Sequence, residues 1–300
     1  SSEISACELW SRITMKTETL RLGPEGASLE LLVDTRGARI SSVRHAATNS
    51  ELLLRTPWAD DEMDGAFPSS RSSEEWHRRY AGGWYTQVPH FGAVRILDGV
   101  EHTYHGEAAW RVWQTSDQSA EQCVMTVQLR TAPLALTRGI ELRGDQVVVT
   151  QTVKNLSSDP FSFTWAEHPA FGSALIDSST VVQIGGQDVD LVFPAPGESH
   201  SAFRCVDTLG VGTYSVTNRS SGLSVKMTWD AAIFPFVYAW QEHRATPRFP
   251  WWRMVDTFAL EPASRPFDPE PDSLGPLVVE GFSEIKTTLT MSVTSSPSDS

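Results

Sequence analysis

A chain of 300 residues with 40% hydrophobic and 20% charged residues can bury a sizeable core and has the composition of an ordinary globular protein. Its 24 Lys and Arg against 37 Asp and Glu leave a formal net charge of −13, which argues against a nucleic-acid partner, because such binding draws on clustered cations to displace counterions. The three cysteines, Cys7, Cys123 and Cys205, are odd in number and far apart with no CxxC pair, which argues against a disulfide framework and a thiolate zinc site. There is no basic-then-apolar leader pattern and no apolar run near the roughly 18 residues that a membrane-spanning helix needs. The expectation is a soluble protein of a reducing, cytoplasmic compartment, without a membrane partner.

In chain order, residues 1–16 are mixed in character, and 1–19 read as an N-terminal extension. Alternation begins at Leu20, and residues 28–35 (SLELLVDT) predict a strand, 36–39 a turn and 40–43 a second strand. Residues 56–75 are acidic, aperiodic and punctuated by Gly, Pro and Ser, which predicts a long loop of the kind that often carries function. Clear period-two strands follow at 123–130, 146–154, 223–229 and 286–293, separated by turn residues such as Gly144-Asp145 and Asn155. Cys123, on the apolar face of its strand, reads as a small buried hydrophobe. No window sustains a helical stripe for three turns, and there is no internal repeat. Many short half-buried strands of this kind predict an all-β protein, a large antiparallel β-sandwich. No linker interrupts residues 20–293, so residues 1–300 read as a single sandwich domain, with 294–300 a frayed tail.

The stretch 76–113 stands apart. It carries four of the 8 histidines (His77, His90, His102, His105) and four of the 11 tryptophans (Trp76, Trp84, Trp110, Trp113), with few aliphatic residues. Those are the materials of a polar, ring-lined pocket, in which stacked aromatics would hold the flat faces of a pyranose and orient it. Three further segments join it: TWAEHPAFG (164–172), FPFVYAWQE (234–242) and TFALEP (257–262). Each places polar groups at the end of a strand, where a sandwich brings side chains together on a concave face.

The segments GGWYTQVPHFG (82–92), YHGEAAW (104–110), EHPAFG (167–172) and FALEP (258–262) resemble, in that order, the motifs of the aldose 1-epimerase (galactose mutarotase-like) superfamily. The likeness is to a branch with GGW…P…G, HGE, HP.F and EP motifs, which includes relatives acting on hexose phosphates and other modified sugars. It covers about residues 30–290. The resemblance implies a β-supersandwich that interconverts the α and β anomers of a hexose, neutral or carrying an anionic group, with no metal and no cofactor. His168 matches the general acid at the ring oxygen, Glu261 the general base at the anomeric hydroxyl, and His105 a second histidine that hydrogen-bonds near the ring oxygen. The chemistry suits those residue types independently. Opening a hemiacetal needs one proton added at the ring oxygen and one removed from the anomeric hydroxyl, each group supplying about 10²–10⁴ in rate.

The expected substrate contacts are Arg78, Arg79, Trp84, Gln87, His90, Glu107, Trp110, Trp240 and Glu242. Plainer readings stand beside these: a His-Pro turn at His168, a structural His105, a solvated Glu261, a solvated Arg78–Arg79 pair, and tryptophans that belong partly to the core. His77, His102, His200 and His243 read as surface residues. The branch commonly has asparagine at His90, which makes that position a candidate for setting specificity. The aspartate with which mutarotases bind sugar hydroxyls has no clear match. Two other functions compete, a glycoside hydrolase or lyase, which for hydrolysis wants two carboxylates flanking the bond, and a non-catalytic sugar-binding protein. The partner in every case is a monosaccharide or glycoside, and the protein itself a monomer or homodimer.

Overall fold

The computed structural model describes residues 17–60, 71–266 and 272–296; Cys7 and part of the predicted 56–75 loop lie outside them. From the N-terminus, β1 (Thr19–Leu22), β2 (Leu29–Asp34) and β3 (Arg39–His45) form a meander, with the two-residue β4 (Ser50–Glu51) paired back on β3. A short helix, α1 (Ser72–Arg79), precedes β5 (Trp84–Gln87), and β6 (Arg95–Leu97) with β7 (Val100–His102) makes a separate hairpin. Then come β8 (Gln114–Gln118), β9 (Gln122–Gln128), β10 (Leu134–Arg143), β11 (Gln146–Asn155), β12 (Phe161–Phe163) and β13 (Ala166–Phe171). The remainder is β14 (Thr180–Ile184), β15 (Gln187–Val189), β16 (His200–Asp207), β17 (Thr213–Asn218), β18 (Leu223–Thr228), β19 (Phe236–His243), β20 (Asp256–Ala263), β21 (Leu277–Val279) and β22 (Glu284–Ser295).

These strands form two large antiparallel sheets. One runs β1-β2-β3-β5-β13-β20-β19-β16, and the other β15-β14-β17-β18-β22-β11-β10-β9-β8. The predicted strands all fall on observed ones, and Gly144-Asp145 makes the tight β10–β11 turn that joins Arg143 to its partner Gln146. Pairing in β22 runs to Ser295, so the expected tail begins inside a strand.

The alternation read from the sequence is the alternation of burial. In β10, Leu134, Leu136, Ile140 and Leu142 point inward, and in β22 Leu289, Met291 and Val293 do so. They meet Leu31, Val33 and Ile40 of the first sheet in one apolar core between the layers. Arg138 occupies an inward position of β10 and is fully buried. It donates to Glu167 at 2.9 Å and to Gln151 at 2.7 Å, while Trp84 Nε1 donates to the same carboxylate at 2.7 Å. A buried guanidinium survives only with such compensation.

β13, β19 and β20 are buried along nearly their whole length. One face packs on the second sheet, and the other is roofed by α1 and connecting loops, leaving a cavity between.

The helix lies at the end of the segment predicted as loop. At eight residues it is too short to register as a three-turn stripe. Its charges nevertheless fit a helix, with Glu74 and Glu75 in the first turn and His77, Arg78 and Arg79 in the last. Glu74–Arg78 and Glu75–Arg79 pair at 3.1 and 3.0 Å.

Candidate active site

Strand register assembles the centre of the cavity. His168 pairs across the sheet with Tyr85, and the partnering of Ala166 with Ala263 and Ala170 with Ala259 sets His168 opposite Glu261. Glu261 pairs in turn with Tyr238, and Tyr238 with Cys205. One row of side chains therefore crosses five strands on the cavity side. Because side chains alternate along a strand, the neighbours of the pair on that face are alanines: Ala166 and Ala170 beside His168, Ala259 and Ala263 beside Glu261. Small residues there leave the space that the cavity occupies.

His168 Nε2 lies 3.3 Å from Glu261 Oε1, and both side chains are under a tenth exposed. The Tyr85 ring stacks on His168 with centroids 4.9 Å apart and an interplanar angle of 14°. Burial pushes the His168 imidazolium down to about 4 and the Glu261 carboxyl up to about 8. Both shifts have one cause, the cost of holding charge away from water. At neutral pH the pair as a whole carries one proton, bound on the carboxyl, and its transfer across the 3.3 Å contact yields the ionised tautomer.

His105 enters from a turn. It has φ 63° and the following Gly106 has φ 78°, so two successive left-handed residues aim the imidazole into the cavity. A Cβ on Gly106 would lie 2.3 Å from the His90 carbonyl oxygen, which accounts for the glycine of the HG motif. The Gly92 N–H donates to His105 Nδ1 at 3.2 Å. That bond assigns the proton of the neutral ring to Nε2, leaving a hydrogen-bond donor for the cavity. Burial and the neighbouring His168 hold the His105 imidazolium well below its ordinary range. The two rings are 5.8 Å apart.

The cavity measures about 530 Å³. On one side of the His168–Glu261 row its wall is aromatic, with the Tyr80 ring touching those of Trp76, Trp240 and Trp251. On the other side stand Gln87, Phe91, Arg95 and Arg265, while Tyr238 belongs to the row itself and Phe203 pairs with Trp240. Arg265 Nη2 donates to the Phe91 carbonyl at 3.0 Å and its guanidinium carbon sits 4.3 Å from the Phe91 ring centroid. Glu261 is the one carboxylate among the described residues of the wall. No group of three His, Cys, Asp or Glu among the described residues is arranged to hold a metal ion, and none of their helices is long and apolar enough to cross a membrane.

Of the residues expected from sequence, His168, Glu261, His105, Gln87 and Trp240 converge on this cavity. The others do not reach it. Arg78 and Arg79 pair with Glu74 and Glu75 on their own helix. Trp84 is fully buried between the sheets, because it alternates with Tyr85 and so faces away from the cavity. His90 is fully buried behind the wall, 6.4 Å from His102 between ring centroids, and burial drives its imidazolium down to about 3. Glu107 is saturated by the backbone N–H groups of Arg130 and Thr131, the Thr131 hydroxyl and Arg111. Glu242 accepts from the backbone of Ala245 and Thr246 and from the Thr246 hydroxyl, which holds the loop after β19. Trp110 packs against Trp76 and donates to the Tyr104 carbonyl. Of the histidines expected at the surface, His77 lines the cavity, His102 is buried, and His243 is fully buried against Asp256 at 2.7 Å.

The cavity is also lined by Tyr80, Tyr85, Tyr238, Trp251 and Arg265, none of them expected as a contact from the sequence, and by Trp76, expected only as part of the ring-rich 76–113 stretch. Two signals were present. Tyr85 and Gln87 share a face of β5, and Tyr238 shares one with Trp240, so each expected residue implied its neighbour two positions away. Trp76 and Tyr80 are four apart at the end of a helix, the spacing that puts two rings side by side.

No protein-family model matches the sequence, and no curated protein matches it at the sequence level. Comparison of folds is informative. A candidate aldose 1-epimerase from Escherichia coli K12 superposes with a TM-score of 0.67 at 17% identity, over 94% of this chain and 100% of that one. A galactose mutarotase related enzyme from Lactobacillus acidophilus gives 0.67 at 13% identity, over 94% and 99%. An aldose epimerase homologue from C. elegans gives 0.59 at 10% identity, over 93% and 99%. With its two antiparallel sheets and its cavity on the outer face of one of them, the chain has the galactose mutarotase-like fold.

Proposed function

We propose that this protein is a mutarotase, acting on the anomers of a hexose or modified hexose. The observation that carries the proposal is the buried His168–Glu261 contact of 3.3 Å at the floor of an aromatic-walled cavity. In its ionised tautomer the pair has one acid and one base within hydrogen-bond reach of two oxygens on the same carbon. Glu261 takes the proton of the anomeric hydroxyl as His168 protonates the ring oxygen. The C1–O5 bond breaks, leaving a C1 aldehyde and a C5 hydroxyl. Rotation about C1–C2 presents the other carbonyl face, and the same proton transfers run in reverse. His105, with Nε2–H as donor, would hold the ring oxygen through both steps, and the tryptophan wall would orient the sugar.

A glycosidase needs a second carboxylate across the scissile bond. Glu107, Glu167 and Glu242 are each committed to hydrogen bonds away from the cavity, which weighs against that alternative. If the sugar carries an anionic substituent, the guanidinium groups it would meet in the wall are Arg95 and Arg265 rather than Arg78 and Arg79.

Saturation-transfer NMR at the anomeric protons of glucose, galactose and their 6-phosphates measures exchange directly. His168→Ala and Glu261→Gln are each expected to lower the catalysed exchange by at least about 10²-fold while the protein stays folded. Exchange at the wild-type rate in both variants would remove the proposal, and sugar binding without exchange in the wild type would favour a non-catalytic role.

A further inference from the structure

We propose that Gln87 is a specificity-determining residue that reads hydroxyl groups of the sugar across the ring from the anomeric carbon; this rests on the mutarotase reading above. Four other amide side chains are almost fully buried, and each has a structural partner. Asn155 donates to the carbonyls of Asp159 and Val279, and Gln151 binds Arg138 and Glu167. Gln241 donates to the Val192 carbonyl, and Asn218 donates to Asp177. Gln87 is as deeply buried as any of them, at 0% exposure, yet neither its Nε2 nor its Oε1 makes a hydrogen bond of good geometry among the described residues, the Tyr85 hydroxyl being the polar group that faces it. It is also the one of the five that lines the cavity. A buried primary amide left with donor and acceptor both unmet is costly, and native proteins rarely keep one without a use.

Its place along the strand says what the use is. Gln87 lies two residues beyond Tyr85 on β5, on the same face, and Tyr85 pairs with His168. Two residues along a strand span roughly 7 Å. A pyranose whose anomeric carbon sits at His168 and Glu261 would place a far-side hydroxyl within hydrogen-bond reach of a group at that remove. Gln87 pairs with Ala166, and Ala166 with Ala263, so the neighbouring strands bring only methyl groups there, and the polar neighbour is the Tyr85 hydroxyl of its own strand. A hydroxyl both donates and accepts, and two neighbouring ones would satisfy both ends of the amide together. A carboxylate or phosphate, acceptors alone when ionised, would leave the amide oxygen unmet.

The test is Gln87→Leu, which keeps most of the volume and removes both polar atoms. Anomer exchange and dissociation constants are measured for D-glucose, D-galactose, 3-deoxy-D-glucose and 4-deoxy-D-glucose, beside thermal unfolding of the ligand-free protein. The wild type is expected to favour the fully hydroxylated hexose over at least one deoxy analogue by about ten- to a hundredfold in kcat/KM. In Gln87→Leu that ratio falls to near one, and the melting temperature stays level or rises, because an unmet amide has been removed. Equal discrimination in the two proteins overturns the assignment, as does a lowered melting temperature with discrimination unchanged, the mark of a structural amide. Should the wild type bind these sugars without exchanging anomers, the mutarotase reading fails, and the ratio of dissociation constants decides Gln87 by the same criterion. Binding of none of the four overturns the Gln87 assignment and leaves the mutarotase reading to be decided by the 6-phosphates.

Discussion

At the scale of the residue, the proposed chemistry rests on two groups whose charges are suppressed by the same burial. Holding one proton between them, His168 and Glu261 are competent only while that count is kept. Below about 4 the histidine gains a second proton for the pair and the base is lost; above about 8 the carboxyl gives up its proton and no acid remains. The expected profile of kcat/KM against pH is a bell with its plateau between those limits, and its two flanks belong to the pair. A profile that follows one ordinary histidine, rising or falling singly near 6.5, would show that the pair does not work as a unit. His168 and Glu261 could be picked out in the sequence because their His-Pro and Glu-Pro segments resemble the superfamily's motifs. Their protonation could not, since it depends on how much protein surrounds them.

At the scale of the element, the site is made by turns and by alternation. Tyr85 and Gln87 face the cavity because Trp84 and Thr86 face the core, and the same rule sorts His168 from Glu167 on the next strand. The HG turn is more delicate. Its glycine sits against the His90 carbonyl, and the preceding His105 holds a left-handed conformation that side chains other than glycine rarely adopt. Gly106→Ala is expected to destabilise the protein by about 1–3 kcal/mol and to lower exchange further than the loss of folded protein explains, because the turn that aims His105 must shift. Denaturant unfolding read together with activity per folded molecule separates the two effects. Activity per folded molecule equal to wild type would mean that His105 keeps its aim without the glycine.

At the scale of the whole molecule, a buried network joins the two sheets directly behind the site. Glu167 precedes His168 and points the other way, into the contacts with Arg138 and Gln151 of the second sheet and Trp84 of its own. Glu167→Ala would leave the Arg138 guanidinium buried without its counter-charge, at an expected cost of about 3–5 kcal/mol. Replacing Arg138 and Glu167 together by apolar residues of similar volume is expected to cost much less, since no unpaired charge then remains. Equal losses in the single and double variants, by chemical denaturation, would mean that packing rather than charge pairing dominates there.

The local pattern of the chain carries the fold class, most strand positions and the likeness of four motifs to one superfamily. Period-two alternation and turn residues are local properties, and each strand states them within eight or ten residues. That likeness also marked His105, His168 and Glu261 as a set worth testing. What those residues face was decided elsewhere. Strand register, which couples positions nearly a hundred residues apart, sets His168 opposite Glu261 and turns Trp84 from the cavity, while the packing of the connecting loops buries His90 and Glu107. The same register brings Gln87 into the wall, and Arg265 joins it from just beyond the end of β20. Pairing between distant strands is not written in any one of them. It emerges when two amphipathic sheets bury their apolar faces against each other, and only then does a concave face exist for polar residues to line.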